Sequence, residues 1–277
     1  MTPARLAAKP VPELVLRAGA VRSGERMVPD EVPIAFSYGG TTHAVMMATP
    51  ADLEDFAVGF SLTEGIIADP AEIVGIEVVD EGRGIDVQVT LADPVADALR
   101  ARRRHMAGPV GCGLCGIESI DQALRPVRSV RGGGLRLRSR EVAEAVRALG
   151  DAQSINRVTH AVHGAGFCVP GKGLVAIRED VGRHNALDKL CGAVVKAGYR
   201  GEDGVVAVTS RLSVEMVQKA ASLGSSFLLA VSAPTLLAIE TAEKAGMTLV
   251  AVVRGEDFEI FTHADRILSP GAVADVA

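Results

Sequence analysis

The chain has 277 residues, enough for one large domain or two modest ones, and its 48% hydrophobic content can supply a sizeable core. Aromatic residues make up only 3% and tryptophan is absent, so we expect a core of alanine, valine, leucine and isoleucine. No apolar run approaches the roughly 20 residues that span a membrane. Residues 1–12 contain three prolines and no apolar stretch, which argues against a secretory signal, and four cysteines are too few for a disulfide scaffold. We therefore expect a cytoplasmic protein.

The first third of the chain predicts a small α+β domain over residues 31–108, after an extension over residues 1–30. We expect Thr49 to cap its first helix, because proline at the first helical position and an acid in the first turn follow it. The predicted elements are strands at Thr42–Ala48, Ile73–Val79 and Ile85–Leu91, a helix from Leu53, and a helix at Pro94–His105.

A loop rich in glycine and cysteine follows, within a basic connector over residues 109–138. Cys112 and Cys115 are separated by two residues and flanked by glycines, which let the backbone adopt positive φ and expose the sulfurs. A thiol that only fills a core does not need this setting.

The connector lies in a strongly basic region, although the whole chain has a net charge of −5. Residues 100–140 contain ten arginines and two acids, a charge of +8, so the remaining residues carry −13. This region is either a solvated helix face or a rim that attracts anions and favours a thiolate. A nucleic acid would also suit the charge, but no aromatic residues are interleaved for base stacking, so we expect no such partner.

Three chemistries compete for Cys112 and Cys115. Zinc needs three or four protein ligands, but the chain has no second CxxC, no histidine pair at ligand spacing and no H-x-E of the kind that zinc deaminases use. Thioredoxin-type redox places a CxxC at the start of a helix after a strand, whereas a basic helix and glycines precede this one. The third chemistry is a nucleophilic cysteine that carries a group such as a persulfide sulfur.

From about residue 155 the pattern alternates between strand and helix, and we assign residues 139–277 to an α/β domain. The alternation predicts a layered, largely parallel sheet with helices on both faces. The predicted elements are a helix from Ser139 to Gly150, strands at Leu174–Ile177, Val205–Val208, Phe227–Val231, Leu249–Val253 and Phe258–Phe261, and helices at about 184–197, 213–223 and 234–245.

Polar turns follow three of these strands, where open α/β sheets bind ligands. In the first turn, helix N-terminal amides with Arg183 and His184 would suit a phosphate, although internal salt bridges and caps could also explain it. In the other two turns, capping by Ser213 and Ser232 is a sufficient explanation. The candidate ligand-binding residues of the first two turns are Asp180, Arg183, His184, Asn185, Ser210 and Arg211.

The remaining histidines and cysteines suggest structural roles. If residues 159–163 form a regular strand, His160 and His163 lie on opposite faces, so we expect them to make a poor metal pair. Cys168 and Cys191 sit among apolar residues and are expected to be small core residues.

Taken together, these segments resemble the formate dehydrogenase accessory sulfurtransferase family (FdhD-type). The resemblance covers about residues 31–267, and the segment Glu179–Lys189 together with the cysteine loop is highly specific. The other matching stretches are Gly59–Ile67, Ser210–Lys219, Ser232–Thr235 and Arg254-Gly255 followed by Phe258–His263.

The resemblance implies a sulfur carrier that serves formate dehydrogenase. Cys112, assisted by Cys115, would take persulfide sulfur from a cysteine desulfurase and pass it to the molybdenum of bis-molybdopterin guanine dinucleotide, bound as a substrate. It further implies a cytidine deaminase-like C-terminal domain, a homodimer, no permanently bound metal and no membrane association. The alternatives are a cofactor-binding chaperone without sulfur transfer and a zinc-dependent deaminase-like enzyme. The cofactor-binding segment that the family implies consists of Phe258, Glu259, Ile260, Phe261, Thr262 and His263.

Overall fold

A computed structural model of the chain describes residues 5–106, 127–132 and 134–268, so Cys112 and Cys115 lie outside the described residues. The described residues form an N-terminal ribbon, a four-stranded sheet, a six-stranded sheet and a pair of short parallel strands. Helices pack on the two larger sheets, which confirms the mixed α/β class expected from the sequence.

The ribbon pairs two antiparallel strands, β1 (Ala8–Arg17) and β2 (Ala20–Pro29), within the stretch that the sequence indicated only as an extension. Ala18 and Gly19 join them with φ values of 48° and 78°. Positive φ at both central residues is what a two-residue type I′ hairpin turn requires. The turn, rather than a buried face, therefore defines this element.

The next unit is an antiparallel sheet with one parallel pair, in the order β4-β3-β6-β5, packed against helix α1. Its core is aromatic at the centre, since the Phe36 ring stacks on Phe60 at 4.6 Å and meets Phe56 edge-on at 4.8 Å. This is the α+β unit that the sequence predicts. Its elements are β3 (Val32–Tyr38), β4 (Thr41–Ala48), α1 (Leu53–Thr63), β5 (Ile73–Asp80), β6 (Ile85–Leu91) and α2 (Asp93–Met106).

The second unit contains the six-stranded sheet. Its strands are β8 (His163–Val169), β9 (Gly173–Asp180), β10 (Val205–Val208), β11 (Phe227–Ala230), β12 (Thr248–Arg254) and β13 (Asp257–Ile260). Its helices are α3 (Ser139–Ala152), α4 (Ser154–Thr159), α5 (Arg183–Lys196), α6 (Val214–Leu223) and α7 (Leu236–Ala245). Two short strands, β7 (Leu137–Arg138) and β14 (Ile267–Leu268), pair in parallel.

The order of the large sheet is β13-β12-β11-β10-β8-β9. β10 pairs in parallel with β11, and β11 with β12, whereas β8 pairs antiparallel with both β10 and β9, and β13 pairs antiparallel with β12. Four of the six strands, β9 to β12, therefore run in one direction, as expected of a largely parallel sheet, and β8 and β13 run in the opposite direction. Helices supply the crossovers between the parallel strands, and hairpins build both flanks.

Helices cover both faces of this sheet, as predicted. Helices α5, α6 and α7 bury one face, and the apolar stripe of α3 buries the other. Val130 and Leu137, which fall in the predicted connector, are buried in these two cores. The predicted domain boundaries and the cytidine deaminase-like detail remain predictions.

Helices α1 and α5 cross backbone against backbone where the two units meet. A Cβ added to Gly59 would lie 1.7 Å from the Asp188 carbonyl oxygen, and one added to Gly192 would lie 1.9 Å from the Asp55 carbonyl oxygen. No side chain can occupy that space without separating the helices, so both positions require glycine.

We expect Gly192→Ala to destabilise the protein by about 1–3 kcal/mol or more, because the added methyl group pushes the two helices apart. Gly150, in the last turns of α3, provides the matched control, since nothing lies within 4 Å of a Cβ placed there. Gly150→Ala should instead gain about 0.5–1 kcal/mol from the better helix propensity of alanine. Denaturant unfolding of both variants measures the difference, and equal effects would contradict the close crossing.

Candidate functional site

Strand ends from three parts of the large sheet meet at one edge. β9 ends at Asp180, and β8, which runs the other way, begins at its partner His163. β10 ends at Val208, opposite Ala165 of β8. The turns that follow β9 and β10 are therefore neighbours, with the start of β8 between them. We call this side of the sheet the carboxyl edge. Its polar side chains include those of His163, Arg183, His184, Arg211, Ser213 and Glu215.

Asp180 organises the first turn from inside the protein. Its Oδ1 accepts hydrogen bonds from the Gly182 amide at 2.7 Å and the Asn185 amide group at 2.9 Å. Its Oδ2 accepts from Lys189 Nζ at 2.6 Å and the Thr49 amide at 3.0 Å. The carboxylate is fully buried and its charge is matched by a lysine that is also fully buried.

This network joins the two units. The Asn185 side chain also donates to the Met47 carbonyl at 2.9 Å, and Lys189 Nζ donates to the Thr49 carbonyl at 2.8 Å. Thr49 does not cap α1, contrary to expectation; its hydroxyl accepts from the Val181 amide, and Asp52 occupies the N-cap position. The end of β4 is thereby fixed to the start of α5.

A second buried ion pair lies deeper in the same interface. Lys219 of α6 is 2.9 Å from the carboxylates of both Asp188 and Glu64, and the Thr63 hydroxyl donates to Asp188 at 2.6 Å. Burial lowers the pKa of Lys219, but the charges of Asp188 and Glu64 outweigh it, so the net shift is upward. The lysine therefore stays charged and holds α1, α5 and α6 together.

These contacts separate the predicted residues of the first turn into two kinds. Asp180 is 0% exposed and Asn185 is 3% exposed, and both are hydrogen-bonded within the chain. A ligand could contact them only by displacing those bonds. Arg183 and His184 begin α5 and remain partly exposed. The buried pair thus shapes the turn, and the two partly exposed side chains can meet a ligand.

Arg183 and Arg211 provide positive charge at the carboxyl edge. Neither guanidinium has an ion-pair partner among the residues that the structure describes, whereas Arg178 nearby is paired with Asp55 and Asp52. Ser210 is 4% exposed and its hydroxyl donates to the Arg211 carbonyl at 3.0 Å. The two arginines can therefore engage an anion without giving up an internal partner.

His184 contacts the start of α6. Its Nε2 lies 3.0 Å from Oε2 of Glu215 and 3.5 Å from Oγ of Ser213. Ser213 occupies the N-cap position of α6, but its hydroxyl donates to the Glu215 carboxylate at 3.0 Å instead of capping the helix. Likewise, Thr235 rather than Ser232 caps α7. The capping role that we expected for both serines is wrong.

His163 is a polar residue of the carboxyl edge that the sequence analysis treated as structural. Burial lowers its pKa, the positive charge of Arg183 lowers it further, and the negative charge of Asp180 partly offsets both. Its position follows from the antiparallel direction of β8, which brings the start of this strand to the ends of its neighbours. Nothing in the local sequence reveals that direction.

The predicted segment Phe258–His263 lies elsewhere. β13 is the outermost strand of the sheet and pairs Asp257 with Arg254 and Ile260 with Val250. The segment therefore runs along this strand away from the carboxyl edge. Two side chains at its end are held internally: Thr262 is 4% exposed and donates to the Met247 carbonyl, and His263 Nε2 lies 3.1 Å from the Glu243 carbonyl.

The other members of the segment divide between the two faces of the sheet. Phe258 packs towards the core beneath α3, Phe261 packs towards the core of the opposite face, and Glu259 and Ile260 are exposed. The structure therefore does not bring the end of the segment, Thr262 and His263, to the turns that follow β9 and β10.

The chain that follows the cysteine loop returns close to that segment. The Val130 amide donates to the Ala245 carbonyl, and Arg131 donates to the Lys244 carbonyl, both at the end of α7. The His263 ring contacts the carbonyl of Glu243 on the same helix end. Residues 127–132 and the end of the predicted cofactor segment thus share the edge opposite to Arg183 and His184.

The two cysteines that the structure describes are buried, as expected of core residues. Cys168 is 6% exposed and Cys191 is 0% exposed. Burial raises the pKa of the Cys168 thiol to about 11 and also raises that of Cys191. Both are therefore neutral thiols at physiological pH, and neither is a nucleophile. Cys112 and Cys115 lie outside the described residues, so their predicted role stays a prediction.

Within residues 5–106, 127–132 and 134–268, no group of three or more histidine, cysteine, aspartate or glutamate side chains could hold a metal ion. None of the helices found there is long and apolar enough to cross a membrane.

A model of the FdhD/NarQ family matches residues 29–268. The chain belongs to the FdhD/NarQ family. Relatives named sulfur carrier protein FdhD include one from Agrobacterium fabrum, 68% identical over 93% of this chain and 95% of the relative, and one from Brucella abortus, 57% identical over 93% and 96%. The family match leaves out most of the β1–β2 ribbon.

A solved structure has a similar fold. The crystal structure of a protein assigned as a formate dehydrogenase accessory protein, from Desulfotalea psychrophila, matches with a TM-score of 0.75 and 27% identity. The match covers 95% of this chain and all of the other. The FdhD/NarQ assignment thus rests on sequence and fold together.

Proposed function

We propose that this protein is a sulfur carrier required for formate dehydrogenase activity. It accepts sulfur from a cysteine desulfurase as a persulfide on Cys112, assisted by Cys115, and passes it to the molybdenum of bis-molybdopterin guanine dinucleotide, which is bound as a substrate. Relatives at 68% and 57% identity that are named sulfur carrier proteins support the sulfur-carrier role. The structural match to a formate dehydrogenase accessory protein supports the link to formate dehydrogenase.

The observation that carries the proposal is the burial of the other two thiols. A persulfide carrier must present a thiolate to two partners in turn, and Cys168 and Cys191 are buried, with raised pKa values. Of the four cysteines in the sequence, only Cys112 and Cys115 remain. Their glycine-flanked, arginine-rich surroundings favour both exposure and the thiolate form.

Transfer of persulfide sulfur from the donor to Cys112 needs no external oxidant. The Cys112 thiolate attacks the terminal sulfur of the donor persulfide, and a new S–S bond forms on Cys112. The S–S bond of the donor breaks, and the donor cysteine leaves as a thiolate. A thiolate is the attacking group in such exchanges, and positive charge nearby raises its population.

Charge at the carboxyl edge supports binding of the cofactor. The guanine dinucleotide part carries pyrophosphate groups, and Arg183 and Arg211 are free of ion-pair partners within the described residues. His184 and the amides at the start of α5 add further donors. We propose that Asp180 and Asn185 shape this turn, Ser210 supports Arg211, and Phe258–His263 provides a second contact region.

We further propose that the protein works as a cytoplasmic homodimer with the cysteine desulfurase and formate dehydrogenase as partners. The alternative is a chaperone that binds the cofactor without transferring sulfur. The positive charges of Arg183 and Arg211 favour binding of the cofactor in either case, so the cysteine chemistry must distinguish the two functions.

Mass spectrometry distinguishes a sulfur carrier from a cofactor-binding chaperone. After incubation with a cysteine desulfurase and cysteine, we expect the peptide that contains Cys112 to gain the mass of one sulfur atom. A reducing agent should remove it, and the peptides with Cys168 and Cys191 should remain unmodified because those thiols are buried. Cys112 left unmodified beside an active desulfurase would favour the chaperone.

A further inference from the structure

We infer that Glu215, held by Ser213, is a positioning residue for His184, which takes up a proton when the pyrophosphate of a nucleotide ligand binds at the carboxyl edge. Binding would then be coupled to pH. The inference rests on the proposed function, because the ligand is the guanosine pyrophosphate part of the cofactor.

The hydrogen bonds define which ring nitrogen is available. Oε2 of Glu215 lies 3.0 Å from both His184 Nε2 and Ser213 Oγ. An ionised carboxylate only accepts hydrogen bonds, so Nε2 carries its hydrogen in both protonation states of the ring. Nδ1 has no hydrogen-bond partner among the residues that the structure describes. It accepts in the neutral ring and donates in the protonated ring.

The same geometry argues against a nucleophilic serine. In a catalytic triad the serine hydroxyl donates to an unprotonated histidine nitrogen, and the acid holds the other ring nitrogen. Here the hydroxyl and Nε2 both point to one carboxylate oxygen, and the distance between Oγ and Nε2 is 3.5 Å. The hydroxyl is therefore a support for Glu215, and the histidine is the group that changes protonation.

The surroundings keep His184 neutral until an anion arrives. Burial lowers its pKa below the ordinary value of 6.5, the charge of Glu215 raises it, and the charges of Arg183 and Lys219 lower it again. Lys219 is already paired with Asp188 and Glu64. The imidazole is 29% exposed, so a ligand can reach it.

An anionic ligand adds negative charge near His184, which raises the pKa of its imidazole. A pyrophosphate beside Arg183 and Arg211 would stabilise the imidazolium, which could then donate from Nδ1 to a phosphate oxygen while Nε2 remains bonded to Glu215. The complex then holds one more proton than the free protein, so affinity rises as pH falls.

The experiment measures binding of a GDP-sugar by calorimetry between pH 5.5 and 8.5 (roughly the range in which histidine titrates). Both of its phosphates are esterified, so the probe lacks the titration near pH 6 of a terminal phosphate. For the wild type we expect Kd to rise by up to about tenfold per pH unit through the window in which His184 loses its proton.

Substitutions show which residues cause the pH dependence of Kd. His184→Gln should remove the steep pH dependence and leave only the smaller contribution of His163, whose pKa also responds to the charge of Arg183. Glu215→Gln should bind more weakly at neutral pH and shift the window to lower pH, since the neutral amide no longer stabilises the imidazolium. Glu144, an exposed acid on α3 at the opposite face of the sheet, provides the control. Glu144→Gln should keep the wild-type profile.

A titration of the His184 ring by NMR in the wild-type protein needs no substitution. Its pKa should rise when the GDP-sugar is added. Binding that is independent of pH, or a Glu215→Gln profile identical to the wild type, overturns the inference and leaves the proposed function standing. Absence of any GDP-sugar binding overturns the inference and the cofactor part of the proposed function, whereas sulfur loading on Cys112 is scored separately by mass.

Discussion

Cys112→Ala is expected to abolish activation of formate dehydrogenase while leaving the fold intact. The variant removes the sulfur atom that carries the persulfide, and neither Cys168 nor Cys191 can replace it, because both are buried with raised pKa values. The measurement is formate dehydrogenase activity in cells that lack the native protein and produce the variant. Circular dichroism and thermal unfolding of the purified variant should match the wild type.

Cys168→Ala is the matched control for this experiment. It removes a thiol from the core between α3 and the sheet, where Sγ lies 3.8 Å from the Ala145 carbonyl, so it should cost about 1 kcal/mol of stability. Activation should persist. Full activation by Cys112→Ala would refute the carrier role, and loss of activation in both variants would point to stability rather than chemistry.

Local periodicity predicted most strands and helices of the α/β unit, but it missed β8 and α4. Val205–Val208 was predicted with its observed bounds, and the following helix differs at its start by one residue. Both elements bury a continuous apolar face, which is what periodicity records. The β1–β2 ribbon was missed because most of its residues are exposed. The opposite directions of β8 and β13 were missed because strand direction depends on pairing, which local periodicity does not record.

The roles of polar residues were harder to predict than their positions. The sequence pointed to the turn after β9, yet Asp180 and Asn185 are bonded to residues of the other unit, such as Thr49 and Met47. Those partners are more than 130 positions away in the chain. A buried junction and a ligand site use the same residue types, so only the three-dimensional contacts distinguish them.

Lys189→Met is expected to be the most destabilising of the substitutions considered. The lysine is fully buried, lies 2.6 Å from Asp180 and supplies the opposite charge to that carboxylate. Removing it leaves a buried charge without compensation, which typically costs about 3–5 kcal/mol. The double variant Asp180→Asn/Lys189→Met should recover part of this loss, because it leaves no uncompensated charge. Denaturant unfolding measures the free energy of unfolding of the wild type, of Lys189→Met and of the double variant.

Lys196 on the same helix is the matched control. It also pairs with α1, through Asp55 at 2.8 Å and Glu54 at 3.2 Å, but its side chain is 42% exposed. Lys196→Met should therefore cost about 0–1 kcal/mol. A loss at Lys189 no larger than that at Lys196 would show that the buried pair is not what holds the units together. Because the Asp180 network also sets the turn that carries Arg183 and His184, Lys189→Met should weaken GDP-sugar binding even at temperatures where the variant stays folded, and Lys196→Met should not.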